Sequence, residues 1–275
     1  MLKNLKRKFD KKGTRGKIIR LKEDFEQLKQ QIDLFKSRVD VSDELFEEFQ
    51  KDRVSDEYNK VYEKDEPLVT VCVGTYNRAR LLLDRSIKSI LAQDYENLQL
   101  IVVGDCCTDE TEKLISTIED ERLHFVNLSE RGNYPEDPDF RWMVAGTATV
   151  NHALELAKGD FITHLDDDDE YTPDRIGKLI QFIKETKADI VWHPFWVENP
   201  DGSWKLNKSE EYKAGRITTS SVLYHRWFKK IPWDINAYKY REPGDWNRFR
   251  KIKYLGVRAC RYSEPLLKHY KERNQ

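Results

Sequence analysis

Phe161-Ile162-Thr163-His164-Leu165 runs straight into Asp166-Asp167-Asp168-Asp169-Glu170. The first five residues alternate bulky apolar and β-branched side chains, the pattern of a short buried strand, and the next five put carboxylates where that strand meets solvent. Neighbouring carboxylates repel and raise one another's pKa, so the run is destabilising unless a cation, or a cation carrying an anionic ligand, neutralises it. A divalent metal is the natural candidate. Thr172-Pro173-Asp174 then reads as a helix start, with Thr172 as N-cap, proline at the first helical position and Asp174 favourable to the helix dipole. Open α/β sheets bind ligands at such strand ends. A solvated acidic loop is the plain alternative, and the flanking strand and capped helix argue against it.

The 275 residues suit one large domain or a domain with an appendage, and 39% hydrophobic with 12% aromatic content is enough for a real core. No apolar run approaches the roughly 20 residues of a membrane span, and the first residues lack the apolar centre of a signal peptide, so a soluble, cytoplasmic protein is expected. Cys72, Cys106, Cys107 and Cys260 show no CxxC spacing, and a vicinal pair is poor disulfide geometry, so all four are read as free thiols. The net charge of −1 hides an asymmetry, because residues 1–20 carry nine basic side chains against the single acid Asp10. Such a start suits either a solvated tail or peripheral contact with anionic membrane, and nucleic acid is not an expected partner. Gly13 and Gly16 count against one continuous helix there.

From Ile18 the pattern becomes regular. Ile18, Leu21, Phe25, Leu28, Ile32, Phe35 and Val39 alternate spacings of three and four, an a/d heptad seam over three heptads. So narrow a stripe has to be buried against a second copy or against the chain's own domain, and self-association through residues 18–39 is favoured because polar residues fill the other positions. Ser42-Asp43-Glu44 starts a further short helix with Leu45, Phe46 and Phe49 as its buried face. Asp65-Glu66-Pro67 marks a boundary, giving a helical extension over residues 1–66 and an α/β domain over 67–275.

Beyond it, strands are expected at 68–74, 98–103 and 123–127, and helices at 79–92, 109–118 and 149–157. That alternation implies a mostly parallel sheet covered on both faces. Parallel strands deliver their carboxyl ends to one edge, so Gly74-Thr75-Tyr76-Asn77-Arg78, Gly104-Asp105-Cys106-Cys107-Thr108-Asp109 and the acidic run should line one crevice.

Val71 to Arg78, Ser89-Ile90-Leu91-Ala92-Gln93-Asp94-Tyr95, Leu100 to Asp105, Asn151 through Asp160, and Asp166 to Asp169, in that order, resemble the family-2 glycosyltransferases of GT-A fold, in particular the inverting spore-coat polysaccharide type. The resemblance covers about residues 67 to 270. It implies that Thr75 and Tyr76 lie against a nucleotide base, that Asp105 hydrogen-bonds it, and that an arginine reaches the nucleotide, for which Arg141 is the nearest match. It further implies that Asp166 to Asp168 form the DxD-type motif, with Asp167 near the ribose and Asp168, with Asp166, holding Mn2+ or Mg2+. Asp245, in Gly244-Asp245-Trp246, matches the family's catalytic base. The donor would be a UDP-, GDP- or dTDP-linked sugar, the acceptor a saccharide or lipid-linked hydroxyl. Two departures stand out: Gly104 and Cys106-Cys107 occur where the family has Asp and Gly-Ser, and Gly244 replaces a glutamate, leaving Glu242 two positions upstream.

These residue types suit glycosyl transfer. A divalent ion stabilises a departing diphosphate through one or two carboxylates plus phosphate oxygens, and a carboxylate can take the acceptor proton. The last third is expected to form the acceptor side, with a strand at 189–197, a turn at Asn199-Pro200-Asp201-Gly202 and a returning strand from Trp204. Of its many aromatics only Trp246 is assigned to an acceptor surface, and none of His193, His225 and His269 is assigned to metal. A nucleotidyltransferase of related fold and a non-catalytic coiled-coil protein with a relic domain remain as other readings. Against the first stands the lack of a Gly-rich loop with lysine after the first strand, and against the second the intact Asp105, Asp168 and Asp245.

Overall fold

A computed structural model describes residues 11–271 of the chain. Residues 1–10, with the first part of the basic stretch, lie outside the described residues.

Seven strands form the central sheet: β1 (Val69–Thr75), β2 (Leu98–Gly104), β3 (Leu123–Asn127), β4 (Phe161–His164), β6 (Ile190–Trp192), β9 (Val222–His225) and β10 (Ala259–Arg261), in the order β10-β6-β9-β4-β1-β2-β3. β1 pairs in parallel with β2 and β4, β2 with β3, and β6 with β10, while β9 runs antiparallel between β4 and β6. The mostly parallel α/β architecture is as expected. Its inner strands are buried on both faces, which is why β2 reads as a nearly continuous run of Leu, Ile and Val and β1, Val-Thr-Val-Cys-Val-Gly-Thr, carries no charge. A smaller sheet adds β5 (Glu170–Tyr171), β7 (Phe195–Glu198), β8 (Trp204–Asn207) and β11 (Leu267–His269) in the order β5-β11-β7-β8.

Several local expectations are corrected. The expected strand over 189–197 is two strands in two different sheets, broken at His193-Pro194, where a proline cannot donate to a ladder. Thr172 is not an N-cap: the helix begins at Arg175, and the Thr172 hydroxyl donates to Asp174 Oδ1 at 2.8 Å instead of receiving a helix N–H. The preceding Glu170–Tyr171 is taken up by pairing with β11, which pulls the chain straight past the acidic run. A helix over 138–144, capped by Asp137, had no counterpart among the expected elements.

At the N-terminal end, helix α1 runs unbroken from Lys11 to Asp40, through both Gly13 and Gly16. A glycine costs an exposed helix about 1 kcal/mol relative to alanine, which a 30-residue helix absorbs. Helix α2 (Asp43–Asp52) follows, with Ser42 Oγ accepting from Leu45 N as a true N-cap and Phe49 fully buried. Phe49, Tyr58, Val61 and Tyr62 belong to the same apolar cluster as the sheet, and Tyr58 donates to Asp189 at 2.7 Å. No helix among the described residues is long and apolar enough to cross a membrane.

Candidate active site

The carboxyl ends of β1, β2 and β4 meet at one edge, as parallel pairing requires. A Cβ on Gly74 would come within 2.2 Å of Thr149 Oγ1, so only glycine lets the helix Thr147–Leu156 cross the end of β1 this closely. Just past that point the Thr75 hydroxyl donates to Asp167 Oδ2 at 2.7 Å, tying β1 to the acidic run. Arg78 Nη1 lies 3.2 Å from Asp167 Oδ1 and 3.1 Å from Asp168 Oδ2. The β2 end is joined through Asn77, whose side-chain oxygen accepts from Thr108 N at 2.8 Å, and through Asn127, which brackets Cys107 by accepting from its N–H and donating to its carbonyl. Cys106, where the family pattern has glycine, sits at φ 58° in the left-handed region that glycine occupies without strain.

Tyr76, Asp105 and Arg131 cluster beside this junction. Tyr76 is partly exposed and carries the Arg131 guanidinium 3.7 Å above its ring. Arg131 Nε is also 3.6 Å from Asp105 Oδ2, and Gly132 N–H donates to Asp105 Oδ1 at 2.8 Å. Tyr76 and Asp105 are therefore together, and the arginine between them is Arg131. Arg141 is directed elsewhere: its guanidinium donates to the carbonyls of Pro135 (3.0 Å) and Glu136 in the turn before its own helix. The family resemblance implied Arg141, and the irregular loop holding Arg131 gives no periodic signal.

Four consecutive aspartates meet four different surroundings. Asp167 is buried, which raises its pKa, and Arg78 and the Thr75 hydroxyl oppose that. Asp168 is pushed up to about 6 by burial and then by the charges of Asp169 and Asp167. Asp166 is raised well above the carboxylate range by burial together with Asp169 and Asp168. Asp169 has no exposure and is held by His269 Nδ1 at 2.9 Å and by Tyr270 N–H at 3.1 Å. Burial alone would lower the His269 pKa, but the Asp169 hydrogen bond and the surrounding carboxylates raise it to about 9.

Among the described residues, ligand atoms of Asp166, Asp169 and His269 lie within 4.8 Å of one another and form a group able to hold a metal ion. The two carboxylate oxygens suit Mn2+ or Mg2+, and the pKa values of Asp166 and Asp168, raised first by burial and then by neighbouring carboxylates, mark charge that a cation would relieve. His269 comes from the strand most distant in sequence, and nothing local to it signalled a role. His193 accepts from buried Arg175 at 3.0 Å, and His225 receives Trp227 N–H, so both belong to the core.

Asp245 lies in the first turn of the helix Gly244–Tyr254. It is half-buried, burial pushes its carboxyl up to about 6, and the Trp246 N–H at 2.6 Å and the charge of His269 act in the other direction. That His269 charge connects Asp245 with the acidic run across the crevice. Glu242 is occupied otherwise: it is buried between Lys36 Nζ at 2.7 Å and Arg250 Nε at 2.9 Å, with Asn247 donating at 3.1 Å. Trp246, assigned to an acceptor surface, points inward instead. It is 6% exposed, packs near Tyr212 and hydrogen-bonds Asp33, because the face of its helix that follows Asp245 is turned to the core.

The family model for glycosyl transferase family 2 matches residues 70–135 and 142–243, more than half of the chain and all three strand ends. The chain belongs to glycosyl transferase family 2. Among curated relatives, the chain is 34% identical over 127 residues to the GalNAc(5)-diNAcBac-PP-undecaprenol beta-1,3-glucosyltransferase of Campylobacter jejuni, covering 45% of this chain and 37% of that protein. It is 29% identical over 166 residues to the UDP-Glc:alpha-D-GlcNAc-diphosphoundecaprenol beta-1,3-glucosyltransferase WfaP of Escherichia coli, covering 58% and 61%. The fold is shared with S. aureus TarS in complex with UDP-GlcNAc, at a TM-score of 0.59 and 20% identity over 75% of this chain and 59% of that one. It is also shared with the mannosyltransferase PcManGT of Pyrobaculum calidifontis in complex with GDP-Man and Mn2+, at 0.53 and 19% over 78% and 63%. The chain spans less than two thirds of the length of each of these proteins. The six residues that the family model skips, 136–141, include the turn and first residues of the 138–144 helix.

Proposed function

We propose that this family-2 chain is a metal-dependent, inverting glycosyltransferase that moves a sugar from a nucleoside-diphosphate donor to a hydroxyl acceptor in polysaccharide or glycoconjugate synthesis. The observation that carries this reading is the placement of a half-buried, unpaired carboxylate, Asp245, across one crevice from a carboxylate cluster with a cation deficit.

The base of the donor nucleotide lies on Tyr76, with Asp105 accepting from its ring N–H and Arg131, rather than Arg141, moving aside to cover it. Asp167, held by Thr75 and Arg78, faces the ribose. Asp166 and His269, beside Asp168, would hold the metal, and Asp169 fixes the His269 ring by its hydrogen bond to Nδ1. When bound there, Mn2+ or Mg2+ would supply positive charge to offset that of a departing diphosphate. Asp245, raised but ionised at neutral pH, accepts the acceptor hydroxyl proton at a carboxylate oxygen as that oxygen attacks the anomeric carbon. The bond from that carbon to the diphosphate oxygen breaks, and its electron pair leaves with the diphosphate. A base opposite the leaving group implies direct displacement and inversion.

Nucleotide sugars in the two neighbouring structures, Mn2+ in one of them, and undecaprenol-linked substrates in the names of two relatives support the donor class, the metal and a lipid-linked acceptor. Such an acceptor would place the chain in the cytoplasm, peripheral to the membrane. A thermal-shift screen of UDP-, GDP- and dTDP-sugars with and without Mn2+, followed by NMR of the product anomer, tests the reading. Binding without any metal effect, or a product retaining the donor's configuration, would refute it.

A further inference from the structure

The apolar seam on α1 is left open by the fold. Ile18, Leu21, Phe25, Leu28, Ile32, Phe35 and Val39 are all exposed, Phe35 to 70% and Val39 to 69%. The domain grips a different side of the same helix. Asp33 meets the Trp246 indole, Lys36 reaches Glu242 at 2.7 Å, and Ser37 and Asp40 both meet Arg250, at 3.2 and 2.5 Å. With Ile18 at heptad position a, these contacts use b, e and f and leave every a and d position outward. An unbroken row of large apolar side chains on a helix so firmly anchored marks an interaction surface.

We propose that two copies of this chain pair in parallel through this seam as a two-stranded coiled coil. The stripe is narrow: off the a/d seam only Ile19 and Leu34 add exposed large apolar side chains, at b and c, and the rest are charged or polar, unlike the broad apolar face of a helix that lies in a membrane surface. Ile18, Ile32 and Val39 occupy a while Leu21 and Leu28 occupy d, the combination that favours two parallel strands. The e positions are Lys22, Lys29 and Lys36. Antiparallel pairing opposes e to e and g to g, which sets Lys22 against Lys36 and Lys29 against its own copy and offsets them only by Asp24 opposite Arg38. Parallel pairing opposes e to g, putting Lys29 beside Asp24 of the second copy and leaving Lys22 against Lys17 as the one repulsive pair. This inference stands independently of the transferase reading.

Light scattering and sedimentation of the full chain across a concentration series should give a dimer. The double variant Leu21→Asp/Leu28→Asp should be monomeric with the domain's melting transition retained, and Gln30→Asp, on the opposite face, should remain dimeric. Orientation is read separately. Leu21→Cys should form a disulfide-linked dimer with itself on mild oxidation, beyond any cross-linking of the unmodified chain, because a parallel d residue faces its own copy. A monomeric parent chain, a trimer, or a dimer indifferent to the double variant overturns the proposal. So do cross-links that form only between Leu21→Cys and Val39→Cys, the d and a positions that antiparallel pairing sets together, and a monomer whose seam is needed for sedimentation with anionic vesicles.

Discussion

Glu242 and Asp245 are three residues apart, yet one belongs to a structural junction and the other to the crevice. Glu242 is enclosed by Lys36 and Arg250, so its charge is matched on both sides and it locks α1 to the helix that follows. Asp245 is half-buried with no such pair, and its pKa is pushed up to about 6 by burial. A buried carboxylate with two cations is committed to holding the fold, while one left short of cations is poised to take a proton. The same contrast leaves Glu242, two positions upstream of Gly244, unavailable as a base.

The sharpest way to break the comparison is kinetic. Asp245→Asn should cut transfer by roughly 10²–10⁴-fold with nucleotide affinity nearly unchanged, whereas Asp168→Asn should weaken metal-dependent nucleotide binding and transfer together. Calorimetry beside transfer assays on both variants checks this, and full transfer by Asp245→Asn would move the base elsewhere. Stability should respond in the opposite sense at the junction. Glu242→Gln leaves Lys36 without a carboxylate and buried Arg250 with Asp40 alone, and should destabilise the fold by about 1–3 kcal/mol in denaturant titrations.

Opposite in sign is the stability effect of Asp245 itself. Its folded pKa of about 6 lies above the roughly 3.9 of an unfolded aspartate, so the native state binds the proton more tightly. Its contribution to stability is therefore present at low pH and lost as pH rises from about 4 to about 6, and Asp245→Asn should stabilise the protein at pH 7 by roughly 1–3 kcal/mol. Transfer runs the other way, rising about tenfold per pH unit below about 6 and levelling above it, since only the carboxylate accepts a proton. Melting curves and rates over pH 4–8 on the parent chain and the variant test both slopes. Least in size, Arg131→Ala should weaken nucleotide binding about tenfold, while Arg141→Ala, already spent on the carbonyls of Pro135 and Glu136, should change it little.

The strand alternation of Phe161–His164, the apolar runs of β1 and β2, and the polar clusters at their ends were legible because each is a local pattern, and a parallel sheet converts local strand ends into one edge. The period of the α1 seam was legible for the same reason. Helix starts were less so: Thr172 has an N-cap's chemistry, but pairing of Glu170–Tyr171 with β11 outweighed a preference worth about 1 kcal/mol.

What the sequence by itself determined, then, is where the carboxylates gather and which residue types stand at the crevice. Which of those charges are matched was decided only in three dimensions. His269 reaches Asp169 from a hundred residues away, Lys36 reaches Glu242 from more than two hundred, and Arg131 reaches Asp105 from an irregular loop. The energy of a charge depends on its distance to partners in space and on its removal from water, and neither quantity is written in the order of the residues.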